Sequence, residues 1–149
     1  MKKLITTAVL ALSVVSASAY EVGVLIGNDY SGSNRMFGGV TVSQPMNAFN
    51  ATLGYQRTSV GADNQNRFSL TGGIDAVGIW KVTVAPTLGV AYLNNSATGN
   101  GLAATAGVEL RMPVMNRVNA VVDYTYQIGQ SRVSASDGSR LSLGLRYKF

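Results

Sequence analysis

A period of two runs through this chain from Tyr20 to its last residue. In "YEVGVLIGNDY" the large apolar residues fall at Tyr20, Val22, Val24 and Ile26. In "NAFNATLGYQ" they fall at Phe49, Ala51, Leu53 and Tyr55, and in "NRFSLTGGIDA" at Phe68, Leu70 and Ile74. The series continues as Trp80, Val82, Val84, Pro86, Leu88, Val90, Tyr92, then as Leu102 to Met112, then as Val118 to Ile128. The terminal "RLSLGLRYKF" closes it with Leu141, Leu143, Leu145, Tyr147 and Phe149, and "RMFGGVTVS" from Arg35 adds a weaker copy. Successive side chains of a strand point to opposite faces, so alternation of this kind predicts strands. A helix would repeat its apolar positions at three and four. Eight such segments predict an all-β chain. Pro86, which cannot donate a ladder hydrogen bond, predicts a bulge or break in the fifth strand.

The connections alternate in length. "QPMN", "AVG" and "PVMN" are short, whereas "NDYSGSN", "SVGADNQN", "NNSATGNG" and "GQSRVSASDGSR" are longer and polar. That alternation predicts an eight-stranded antiparallel up-and-down transmembrane β-barrel, with short turns at one membrane face and loops at the other. Asp63 with Asn64 and Asn66 reads as a turn-forming cluster, since its spacing does not match a calcium loop.

Alternation alone leaves open which face is inside; a soluble barrel would reverse it. The residues opposite the apolar series are mostly Gly, Ala, Ser and Thr, which suit the narrow interior of eight strands. Among them stand charges of both signs, Glu21, Asp75, Glu109 and Asp123 with Lys81, Arg111 and Arg146. Unpaired charges are costly away from water, so these are expected to form a paired interior network. The aromatics support an apolar outer face. Of 12 aromatics only Phe37 falls off the apolar register. The others gather toward the strand ends, as two interfacial girdles require.

The N-terminus "MKKLITTAVLALSVVSASA" has Lys2 and Lys3, an apolar stretch from Leu4, and Ala17-Ser18-Ala19. This is the anatomy of a cleaved secretory signal peptide over residues 1–19, leaving a barrel over 20–149. Part of the formal charge of +5 departs with it, and no basic run remains, so nucleic acid is not an expected partner. The chain has no Cys, so no disulfide scaffold supports it, and no His, so imidazole chemistry is excluded. No catalytic residue, metal or cofactor is expected. Arg35, Arg57, Arg67, Arg132 and Arg140 fall toward the loop end, where guanidinium groups can meet lipid phosphates. They are the candidates for lipopolysaccharide contact, with ordinary solvated loop charge as the alternative reading. A weak internal repeat pairs "MNAFNATLGY" from Met46 with "MNRVNAVVDY" from Met115. It fits either hairpin duplication or two turns with the same geometric task.

With its signal peptide, strand count, loop asymmetry and terminal "LSLGLRYKF", the chain resembles the small outer-membrane barrels of Gram-negative bacteria, the OmpA transmembrane-domain and OmpX-like proteins. The resemblance spans residues 20–149 and selects no subfamily. It implies export through the general secretory pathway, handling by periplasmic chaperones, and residence among outer-membrane lipid and lipopolysaccharide. It also implies that Leu141, Leu143, Leu145, Tyr147 and Phe149 form a recognition signal for the barrel-assembly machinery. The expected role is non-enzymatic, structural or surface-interacting through the loops, with a narrow or gated pore as the alternative.

Overall fold

The computed structural model describes residues 20–30, 34–60, 63–95, 99–129 and 137–149. The signal segment 1–19 and Arg132 lie outside them. Eight long strands follow one another: β1 (Glu21–Asp29), β2 (Arg35–Met46), β3 (Phe49–Val60), β4 (Asp63–Ile74), β6 (Val82–Asn95), β7 (Gly99–Met115), β8 (Val118–Gly129) and β9 (Gly138–Lys148). A three-residue β5 (Val77–Ile79) lies between β4 and β6. Each long strand pairs antiparallel with its sequence neighbours, β4 with β6, and β9 returns to β1. The sheet is therefore a closed barrel, the one antiparallel architecture that leaves no strand edge open.

The closing seam brings the two ends of the barrel sequence together. Glu21 faces Lys148 and Asp29 faces Arg140 across β1 and β9. The Phe149 amide donates to the Tyr20 carbonyl at 3.0 Å, and the two rings stack with centroids 4.9 Å apart. Cross-strand partners lead from Glu21 through Ser43, Thr52, Thr71, Gly89, Thr105 and Gln127 to Gly138. The seam partner of Glu21 is instead Lys148, ten residues further along β9. A stagger of that size in eight strands tilts them about 40° from the barrel axis.

The faces sort as the alternation requires. Val24, Ile26, Leu70, Leu88, Val90, Leu143 and Leu145 are exposed on the outside. The buried side chains are largely Thr, Ser, Asn, Gln, Glu and Arg, with small alanines between them. This is the inverse of a soluble barrel, and an apolar belt of this extent needs lipid around it.

Several local expectations change. β6 runs through Pro86, which pairs in register with Val108 of β7. The irregularity lies in the opposite strand. Gly73 pairs with Thr87 and Val77 with Val84, so Asp75 and Ala76 add one residue between β4 and β5. The Ala76 amide donates to the Val84 carbonyl. By the two-residue repeat, the missing N–H of Pro86 points to this same side, where the β4 ladder has already stopped. Of the expected "AVG" turn, Ala76 belongs to this bulge and Val77-Gly78 are strand. The turn is Trp80-Lys81, because Ile79 pairs with Val82. At the loop end β3 and β4 pair as far as Val60 and Asp63, so the Asp63–Asn66 cluster is strand rather than turn.

Candidate functional site: the lumen and its rims

Among the described residues, most of the charged side chains lie in the lumen. On its short-turn side the alternation of β7 aims Glu109 and Arg111 inward, and that of β9 aims Arg146 at them. Arg146 grips Glu109 with both guanidinium nitrogens, Nη1 to Oε1 at 2.9 Å and Nη2 to Oε2 at 2.5 Å. Such a fork-to-fork pair is the strongest geometry available to these two groups. Arg111 Nε lies 3.0 Å from Glu109 Oε1, and its Nη2 reaches Asp75 at the β4–β5 bulge. Bulges re-aim side chains; this one carries the carboxylate that completes the chain.

Two asparagines extend the network. Asn50 Nδ2 donates to Asp75 Oδ1 at 3.3 Å, and Asn119 Nδ2 donates to Glu21 Oε1 at 3.0 Å. They occupy the same position in the repeated "MNxxN" segments. Both repeats begin at a two-residue turn, Asn47-Ala48 in one and Asn116-Arg117 in the other. The repeat therefore marks two hairpins that each deliver an amide to a lumenal carboxylate. The period of two places both asparagines on the inward face, and their partners emerge only in the folded barrel.

Toward the loop end the pattern changes. Arg67 donates to Gln56 at 2.9 Å, and Arg140 Nε stands 3.5 Å from Asp29. Each pair is made by direct cross-strand partners. Phe37, the one aromatic off the apolar register, lies buried with the Arg140 guanidinium 4.1 Å above its ring. That is a cation–π contact made inside a barrel. Arg67 Nε and Arg140 Nη2 have no hydrogen-bond partner among the described residues. Between the two layers a cavity of about 50 Å³ is lined by Asp123, Thr125, Ser69, Thr71 and others. It holds a few waters at most.

Of the expected interior charges, Asp75, Glu109, Arg111 and Arg146 form one connected cluster, and Glu21 is held by Asn119. Asp123 borders the cavity and accepts from Thr125 Oγ1 at 2.8 Å, without an ion pair among the described residues. Lys81 is a correction: it sits exposed in the Trp80-Lys81 turn, outside the lumen, because the strand before it runs longer than expected. Arg67 and Arg140 are corrections of the opposite kind. Placed among the lipopolysaccharide contacts, they are buried inside, at 5% and 3% exposure. Each alternates with an outward residue, Phe68 and Leu141, so the period of two at the strand ends turns both inward. Arg57 is exposed on the outer face and Arg35 half-buried at the loop rim. Leu141, Leu143, Leu145 and Tyr147 face outward on β9, and Phe149, just past it, is exposed as well.

Solved structures share this architecture across nearly the whole described chain. Neisserial surface protein A superposes with a TM-score of 0.58 at 12% identity, covering 88% of this chain and 96% of that one. The fold is that of the small outer-membrane barrels. A major outer membrane protein of Thermus thermophilus gives 0.61 at 16% identity, covering 87% and 99%. Ail, the attachment invasion locus protein of Yersinia pestis, gives 0.54 at 13% identity, covering 88% and 97%. No protein-family model and no curated protein matches the sequence.

Proposed function

We propose that this protein is a non-enzymatic barrel of the Gram-negative outer membrane that acts through its external rim rather than through its bore. The observation that carries this reading is the cluster Asp75–Arg111–Glu109–Arg146, which links the β4–β5 bulge, β7 and β9 across the lumen. Eight strands leave room only for side chains, and here the side chains use it. A narrow pore would need this cluster to part. Single-channel recording on the refolded protein tests the point: no conductance steps are expected, and regular steps would move the function into the lumen.

The outer rim is the surface left to meet partners. Arg57 is exposed there beside the belt, a position suited to lipopolysaccharide phosphate. Arg57→Gln is expected to weaken retention of lipopolysaccharide by the refolded barrel while leaving its sheet content unchanged. We assign β9 the role of assembly signal, with export through the general secretory pathway and delivery by periplasmic chaperones. Deletion of Phe149 should slow insertion by the assembly machinery more than it lowers the stability of the finished barrel. Equal losses in both would make Phe149 a seam residue only.

A further inference from the structure

We propose that the short-turn rim is a recognition surface for phospholipid of net negative headgroup charge, with Trp80 seated in the headgroup layer. The proposal rests on the reading of the chain as a membrane barrel and adds a lipid preference to it. Three observations meet at this rim. First, the alternation that governs the rest of the barrel fails at two neighbouring hairpin tips. Every residue from Ala76 to Lys81 and from Met112 to Arg117 is exposed, so both faces of each tip are open. Yet these tips carry Val77, Ile79, Trp80, Val114 and Met115. A hairpin tip standing in water has no reason to be apolar on both faces; one embedded at an interface does.

Second, the exposed charged side chains of this rim are Lys81, Arg117 and Lys148, all cationic. The acids nearby are already engaged. Glu21 is buried against Asn119, and Asp75 is bound by Arg111. A cationic ring beside an apolar band complements an anionic membrane surface.

Third, Trp80 holds φ at 58° with its side chain wholly exposed, at 102%. A bulky residue in the left-handed region is strained, and the matching turn at Asn47 uses an amino acid that tolerates it. Nothing among the described residues packs on Trp80 to repay that strain. An interface that favours the indole ring does.

Trp80 is the single tryptophan of the chain, so its fluorescence reports on this rim alone. The full barrel is refolded into phosphatidylcholine vesicles that carry a minor fraction of brominated phosphatidylglycerol or, in parallel, brominated phosphatidylcholine. Three cations near a charged surface should enrich the anionic lipid, quenching Trp80 about threefold more than the zwitterionic one. The excess should vanish in Lys81→Gln/Arg117→Gln/Lys148→Gln and persist in Lys81→Arg/Arg117→Lys/Lys148→Arg. Wild-type protein in about 1 M salt, where the Debye length falls to about 3 Å, should lose it as well. Equal quenching by the two lipids in a folded wild-type barrel overturns the lipid preference and leaves the membrane reading standing. A preference that survives both the glutamine variant and salt also overturns it. A wild-type chain that inserts into neither vesicle, with no sheet signal and no heat-dependent gel shift, overturns the membrane reading and this proposal with it.

Discussion

The two halves of the lumen solve the same problem in different ways. On the short-turn side ties run across the bore, between strands that are not neighbours: β7 to β9, β7 to the β4–β5 bulge and β8 to β1. On the loop side the ties are between adjacent strands, β3 to β4 and β1 to β9. A cross-bore tie fixes the distance between opposite walls and excludes water. A neighbour tie merely decorates a ladder that the backbone already holds. The seal should therefore belong to the turn side, and the loop side should tolerate change.

Glu109 is the sharpest place to break that comparison, because two arginines depend on it. Glu109→Ala leaves Arg111 and Arg146 facing each other in a narrow bore, and is expected to cost about 3–5 kcal/mol. Reversible urea unfolding in lipid vesicles measures it, and a cost near zero would dissolve the distinction between the halves. Asn119→Ala comes next. It strips the donor from a Glu21 that is only 4% exposed, with an expected loss of about 1.5–3 kcal/mol by the same assay. Arg67→Met should have the smallest effect. It removes a buried charge with an unsatisfied nitrogen and substitutes an apolar chain of similar reach, at the expense of one bond to Gln56. The expected change is about 1 kcal/mol or less, in either direction. A loss matching that of Glu109→Ala would show that the loop-side layer also bears the fold.

Much of this was legible in the period of two. It assigned the faces of all eight long strands, including Glu109, Arg111 and Arg146 inward and Leu143, Leu145 and Tyr147 outward. It also singled out Phe37, whose departure from the pattern is explained by Arg140. The failures cluster where strand ends were set by composition. Arg67 and Arg140 were placed toward the loop end as candidate lipid contacts, yet their backbones stay in the ladder and parity carries them into the lumen. Lys81 was given an inward position by extending β6 backward past a turn that reverses the chain. Proline misled in a further way: Pro86 signalled an irregularity, but the extra residue lies across from it, at Asp75 and Ala76, where no residue type announces it.

The sequence by itself determined that the chain is a barrel of alternating faces, because alternation is a property of the strand backbone and needs no partner to be read. It also determined that the last strand would meet the first, since an open edge has no place in hydrocarbon. Only the tertiary structure decided which charges touch. That depends on the ten-residue stagger of the closed sheet, which brings Glu109 of β7 level with Arg146 of β9 and leaves Asp123, one strand away, beside a cavity. Register is the sum of every hairpin and bulge around the barrel, and no single segment of the sequence contains it.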